Sequence, residues 1–341
     1  MKKTFSIIFA FIAIALTSCS SDDDNAVQPS SLAEITDFSL TFNNVNESDI
    51  NYDLGTNITV SVPFGTSLED IIPNIAISEG ATITPASGEQ VDFVDGEAKT
   101  FTVTAEDGSV KEYTVTVNVR GEVGSGTRLK TYIMDDEVFG LTKRAYTYND
   151  ANFVSEISEE VTEFGMTTNK IYSFVYDDKN QIIALQVEAT NEETTYSYED
   201  GKIVGAETTI DDNLVYTYEY IYNENGDLAI EKRIDHTDDD DLSENKFVYE
   251  NGNVIEENQY GLVSTAEYDD KNNPFIELYP SAYAAINVGI QSVNQNNPIS
   301  GTLADDTIPY EYNEDGYPVS ASYSYYDGAA TVDKTFTYYA E

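Results

Sequence analysis

One unit recurs through the second half of the chain and restricts what it can become. The unit is an aromatic residue, any residue, a tyrosine, then Asn, Asp or Glu, then a turn and an aliphatic stretch. The copies begin with Tyr146-Thr147-Tyr148-Asn149-Asp150, Phe174-Val175-Tyr176-Asp177-Asp178, Tyr196-Ser197-Tyr198-Glu199-Asp200-Gly201 and Tyr220-Ile221-Tyr222-Asn223. They continue with Phe247-Val248-Tyr249-Glu250-Asn251-Gly252, Glu267-Tyr268-Asp269-Asp270 and Tyr310-Glu311-Tyr312-Asn313. The second tyrosines of the first six copies lie 19 to 28 residues apart, the length of one β-hairpin. Aromatics at i and i+2 share a strand face and stack on the next hairpin. Asn, Asp and Gly accept the positive φ that tight turns demand. In residues 216–222 four tyrosines alternate onto one face. Such units build a long antiparallel meander, which must curl, close or pack on something to protect its faces and edges. Residues 279–300 break the period and are richer in Ala, Asn and Gln, which predicts a short helix and loop.

Upstream, the pattern is of short strands. Phe38, Leu40 and Phe42 alternate, as do Ile58, Val60 and Val62. The runs 100–104 and 112–119 do the same on either side of Glu106-Asp107-Gly108-Ser109, a hairpin signal. Period-two alternation means one buried and one wet face, and two such sheets make a sandwich. Pro63 to Ile71 is expected to hold one helical turn capped by Ser67. The glycine-rich run Arg120-Gly121-Glu122-Val123-Gly124-Ser125-Gly126-Thr127 reads as a boundary.

At the start, Lys2-Lys3 precede an apolar run from Phe5 to Leu16 that only Ser6 interrupts. A membrane span needs about 20 residues, so this run fits the apolar segment of a secretory signal. Leu16-Thr17-Ser18-Cys19 resembles the bacterial lipobox. The resemblance implies cleavage before Cys19, diacylglycerol on its sulfur and a further acyl chain on its amino group. Two or three chains anchor a protein stably. Ser20-Ser21-Asp22-Asp23-Asp24 resembles the surface-export signal of Bacteroidota lipoproteins, and Ser20 is not the aspartate of inner-membrane retention. The expected place is the outer membrane, lipid-anchored, at the cell surface.

Two further resemblances cover the rest. Gly65-Thr66-Ser67-Leu68, Ile83-Thr84-Pro85-Ala86-Ser87-Gly88 and Thr102 to Ser109 with Tyr113-Thr114-Val115-Thr116-Val117 resemble the immunoglobulin-like domains of Bacteroidota surface lipoproteins, where the domain serves as a spacer. The tyrosine units resemble the tyrosine–aspartate (YD, or RHS-like) repeats, and more closely a Bacteroidota lipoprotein domain of unknown function. Asn272-Asn273-Pro274-Phe275 and Asp315-Gly316-Tyr317-Pro318 resemble the same domain, although the strict glycine-rich form of true YD repeats is absent. The expected fold class is all-β, an N-terminal immunoglobulin-like sandwich followed by an antiparallel β-meander built from hairpin repeats. The expected division is a signal peptide 1–18, a lipidated acidic tether 19–34, the sandwich 35–120, a linker 121–127 and the repeat domain 128–341.

Composition removes several functions. A net charge of −45, from 62 acidic and 17 basic residues, repels phosphate backbones and so argues against nucleic acid. One cysteine and one histidine exclude an internal disulfide and cysteine-rich zinc sites. With Cys19 lipidated, no thiol nucleophile remains. A serine triad would need His236, which lies in the acidic run Asp235-His236-Thr237-Asp238-Asp239-Asp240-Asp241 with no nucleophile-elbow motif. No cofactor is expected; the Asn/Asp-rich turns could hold calcium weakly, but none has EF-hand spacing. A carboxylate pair could hydrolyse glycosides, yet among 62 acids some pair is expected by chance. A tyrosine-lined face could stack on sugar rings or peptides, or simply pack across strands. The expectation is a non-catalytic binding or adhesion module with a spacer domain. Its partners are the membrane, through the anchor, and a ligand such as a glycan or envelope protein. The alternatives are a structural component of an envelope assembly and a carboxylate-dependent glycoside hydrolase. Any irregular site in the repeat domain should lie beside residues 279–300.

Overall fold

The structure is a computed structural model and describes residues 28–124 and 128–340. Cys19, the signal segment and most of the acidic tether lie outside the described residues. The protein is nearly all β. It divides into two compact units: one is the chain up to Asn43 with Tyr52–Val60 and Ser67–Val117, the other Asn44–Asn51, Ser61–Thr66 and Asn118 onward.

The first seven strands are β1 (Ile35–Thr41), β2 (Asn51–Asp53), β3 (Asn57–Val62), β4 (Ile72–Ile77), β5 (Thr82–Thr84), β6 (Ala98–Thr104) and β7 (Val110–Val119). They form a two-stranded sheet, β1-β4, and a five-stranded sheet, β2-β3-β7-β6-β5. Phe38 of β1 meets Phe101 of β6 edge to face, with ring centroids 6.3 Å apart. Alternation fixes the core: Phe38, Leu40, Ile58, Val60, Val62, Phe101, Val103, Tyr113, Val115 and Val117 are all buried. The hairpin expected at 106–109 joins β6 to β7, with Thr104 opposite Val110. The helical turn expected at Ser67 is absent. Ser67 Oγ instead accepts the Glu69 N–H at 3.3 Å, a side-chain turn that competes with helix formation.

The remaining strands run in chain order through one sheet. They are β8 (Leu129–Asp136), β9 (Gly140–Tyr148), β10 (Val154–Glu163), β11 (Met166–Tyr176), β12 (Ile182–Val187), β13 (Glu192–Glu199), β14 (Lys202–Ile210) and β15 (Asn213–Tyr222). Then come β16 (Leu228–Asp235), β17 (Asp241–Glu250), β18 (Asn253–Gln259), β19 (Leu262–Thr265), helix α1 (Ser281–Ala284), β20 (Tyr310–Tyr312), β21 (Pro318–Tyr325) and β22 (Ala330–Tyr338). The fifteen-stranded order is β19 back through β8, then β22-β21-β20. The last hairpin thus returns to pair with β8, Phe336 opposite Tyr132. Residues 266–309 connect the two ends of the sheet.

That connection shows that the sheet curls. Leu303 packs both on the cluster of Val254 and Ala266 and on the cluster of Ala321, Tyr323 and Val332. Laid flat, β18 and β21 would stand about 58 Å apart, at about 4.8 Å per strand. One leucine can pack against clusters built on both strands only if the sheet rolls round residues 266–309. The segment expected as helix and loop therefore serves as the filling of a rolled sheet. Tyr279, Tyr283 and Val293 share one core with Tyr132, Tyr146, Phe174, Ile203 and Tyr220.

Six of the tyrosine units share one geometry. Tyr148, Tyr176, Tyr198, Tyr222 and Tyr268 donate their hydroxyls to the carbonyls of Leu129, Val154, Ile182, Ile203 and Val254 at 2.6–2.7 Å. Tyr338, in a copy that the sequence pattern missed, does the same to Pro318. Each accepting residue stands at or near the start of an earlier strand. The Asx that follows caps its own turn. Asp177 Oδ1 accepts from Lys179 and Gln181, Asn223 Oδ1 from Asn225 and Asp227, and Asn313 Oδ1 from Asp315 and Tyr317. These oxygens, the candidates for calcium, are engaged by backbone N–H groups. Among the described residues, no three His, Cys, Asp or Glu side chains are placed to hold a metal ion.

The glycine run read as a linker is tied down over 121–124. Gly124 N–H bonds Ala151 O, and Asn180 Nδ2 bonds Glu122 O at 2.8 Å. A Cβ on Gly121 would lie 2.8 Å from the Lys179 carbonyl, and one on Gly124 would lie 2.6 Å from Asn152 O. Here glycine is required by close backbone approach rather than by looseness.

Candidate functional site

The inner face of the rolled sheet opens into a cleft of about 470 Å³. Its position follows from register. Tyr132 on β8 stands opposite Arg144 on β9, Arg144 opposite Glu159 on β10, and Ile157 opposite Tyr172 on β11. Strand alternation turns Arg144 onto the same face as Tyr146, and Glu159 onto the same face as Ile157. Arg144 Nε donates to Glu159 Oε2 at 2.7 Å, and Tyr172 donates its hydroxyl to Glu159 Oε1 at 3.1 Å. Glu159 is buried, 7% exposed, while the Arg144 side chain is 42% exposed and lines the cleft. The filling segment supplies the opposite wall with Phe275, Tyr279, Asn287, Gln291 and Ser292.

The electrostatics hold this arrangement in one charge state. Burial works against the charge on Arg144, but the Tyr146 and Glu159 side chains outweigh it and keep its pKa above the ordinary arginine value. Burial, and then the Glu159 carboxylate, push the Tyr172 hydroxyl up to about 12. The cleft thus presents a fixed guanidinium, a buried carboxylate, phenol hydroxyls and two amide side chains between aromatic walls. Such a surface can hydrogen-bond a hydroxyl-rich ligand and stack on its apolar faces. Among the described residues, Glu159 is the one carboxylate that lines the cleft.

The histidine singled out in the sequence is elsewhere. His236 bonds Thr217 Oγ1 through Nε2 at 2.8 Å and Asp240 through Nδ1. Thr217 lies on β15 and Asp240 in the turn between β16 and β17, and among the described residues no serine bonds the ring. The four tyrosines of 216–222 do share a face: Tyr216 meets Tyr218, and Tyr218 stacks on Tyr220 at 6.2 Å. Tyr218, Tyr220 and Tyr222 belong to the core, which favours cross-strand packing over an exposed platform. Arg144 and Glu159 were not singled out. Their signal was available, since each is a charge in phase with core aromatics or aliphatics in a chain with only 17 basic residues.

Comparison with known proteins bears mainly on the N-terminal unit. Residues 35–117 match the family model described as SGBP, N-terminal, the N-terminal domain of surface glycan-binding proteins, which supports a surface protein of the Bacteroidota. No curated protein matches the chain significantly. Among solved structures, the chain is similar to a porin-like protein from Bacteroides uniformis at 16% identity and a TM-score of 0.42, over 64% of this chain and 100% of that one. It is also similar to a protein of an uncharacterised family from Bacteroides eggerthii at 12% identity and 0.22, over 90% and 99%. A third is a protein from Bacteroides thetaiotaomicron described as a candidate glycoside hydrolase, at 14% identity and 0.23, over 92% of each chain. Likenesses this distant carry no argument about activity. Among the described residues, no helix is long and apolar enough to cross a membrane.

Proposed function

We propose that this protein is a non-catalytic glycan-binding protein of the cell surface, held to the outer membrane through lipid on Cys19. In this reading residues 35–120 are an immunoglobulin-like spacer and the rolled repeat sheet carries the ligand. The observation that carries it is the cleft, where Arg144, Glu159 and Tyr172 form a fixed polar cluster between aromatic walls. Planar polar groups paired with aromatic faces suit the alternating polar and apolar sides of a sugar chain. The family match of residues 35–117 supports the same reading. The lone carboxylate in the cleft favours binding over hydrolysis.

The test is a glycan array run beside a hydrolase substrate panel, on wild type, Arg144→Ala and Glu159→Gln. Retained glycans should fall to background in both variants, with no turnover of any substrate. Binding unchanged by either substitution, or turnover abolished by Glu159→Gln, would overturn the proposal.

A further inference from the structure

A second cavity lies where the tyrosine rule fails without a replacement partner: Tyr312 departs from the rule by donating to the Asp269 carboxylate, whereas Tyr249 departs from it with nothing to take the place of the carbonyl. In six units the second tyrosine donates to the carbonyl of a preceding strand. By the same rule Tyr249, next to the end of β17, should donate to Leu228 at the start of β16. Its hydroxyl is instead buried without a hydrogen-bond partner. Beside it lies a cavity of about 360 Å³, which Tyr249, Leu228 and Glu277 all line. Glu277 Oε2 is also buried and unpartnered, and burial raises the Glu277 pKa. A buried polar atom without a partner costs about 1–3 kcal/mol, so two at one cavity need a reason. Local rules tend to fail at functional positions.

The walls state what would fit. Ile276, Val288 and Val293 from the filling segment are apolar, and Asp227 and Glu122 stand at the same cavity as Glu277. Among the described residues no Lys, Arg or His lines it, and with three carboxylates at its walls an anionic ligand would be repelled. The free groups are a carboxyl and a phenol hydroxyl, which together accept and donate. Vicinal hydroxyls on a ring satisfy both at once, and the ring's C–H faces suit the aliphatic walls. The volume lies at the lower end of the range for small-molecule pockets, about 300–1,000 Å³. We propose that this cavity is a ligand site separate from the cleft, taking one neutral, hydroxyl-rich ring of hexose size. Tyr249 and Glu277 are the groups that hydrogen-bond it. The inference rests on the cavity's own atoms and stands apart from the reading of the cleft.

The experiment is a titration of the protein with glucose, galactose, mannose and glucuronate, followed by NMR and by thermal melting. At least one neutral hexose should bind, and glucuronate should not. Tyr249→Phe and Glu277→Gln should each weaken that binding by about tenfold or more, while Arg144→Ala leaves it unchanged. Without ligand, Tyr249→Phe should melt no lower than wild type, because it removes a hydroxyl that has no protein partner. Tyr222→Phe, which breaks the bond to Ile203, should melt lower. No perturbation by any neutral hexose would mean that the two atoms are met by water alone, and would overturn the proposal. So would equal binding by Tyr249→Phe and Glu277→Gln, loss of binding in Arg144→Ala, or preference for glucuronate.

Discussion

The two ends of the rolled sheet are built on opposite rules. At one end lie the tyrosine–Asx turns. There Val154, Ile182, Ile203, Leu228 and Val254 are almost wholly buried, and tyrosine hydroxyls close four of their carbonyls. At the other end the hairpin tips carry large apolar residues in the open. Phe164 is 91% exposed, Leu262 76% and Tyr326 64%, with Phe139, Met166 and Leu242 also exposed. Three of the aromatics, Phe164, Tyr260 and Tyr326, sit at φ of 49°, 54° and 57°, a region that bulky residues rarely adopt. Asn or Gly would hold these turns with less strain. One end is thus optimised for stability, and the other spends some of it.

The sharpest test of that contrast compares a matched pair of leucines. Leu228→Ala at the buried end should lower unfolding free energy by about 3 kcal/mol, as large-to-small core substitutions do. Leu242→Ala at a tip should change it by less than about 0.5 kcal/mol. Equal losses in urea denaturation would break the comparison.

Next in size is the hydroxyl ladder. Tyr176→Phe and Tyr222→Phe each remove a bond to a strand-start carbonyl and leave that acceptor without this donor. Each should cost about 1 kcal/mol, read as a lower denaturation midpoint with an unchanged slope. At the tips the sign reverses. Phe164→Asn and Tyr260→Asn relieve a left-handed strain of about 1–2 kcal/mol per residue and should raise the melting temperature. A fall would mean that these rings pack on something that their exposure does not show.

A pH-dependent effect concerns Lys334 on β22. It is 5% exposed, and burial lowers its pKa to about 8. Between about pH 8 and the ordinary lysine value near 10.4, the unfolded chain holds a proton there that the folded protein has released. The unfolded state therefore binds more protons, and stability should rise with pH across that window. Lys334→Met should flatten the rise, as measured by urea midpoints from pH 7.5 to 9.5. A slope that persists in the variant would assign it to another group.

Much of the fold was legible because hairpins are local. Tyr198-Glu199-Asp200-Gly201 declares a strand end and a tight turn within four residues, and the alternation of Phe101, Val103, Tyr113 and Val115 declares a buried face. Seven such tyrosine copies were enough to expect a long antiparallel meander, and the sheet of fifteen strands is one. The short helix at Ser281–Ala284 was legible from the break in period. The turn at Ser67 was misread because a serine that caps a helix and one that closes a side-chain turn use the same hydroxyl and the same kind of backbone N–H.

What the sequence determined by itself was therefore the unit: which residues face inward, where each turn falls, and why tyrosine and Asx stand side by side. Only the tertiary structure decided how the units meet. Leu303 packs on two clusters whose strand members, Val254 and Ala321, lie on strands twelve places apart in the sheet, and Arg144 finds Glu159 across a register that neither residue states alone. Whether Tyr249 has a carbonyl partner depends on how residues 276–294 fill the roll beside it. The physical reason is range. Turn chemistry and strand alternation act over two to four residues and leave their mark in order along the chain. Curling and cavity formation act between residues far apart in sequence, where one residue's type says little about its eventual neighbour.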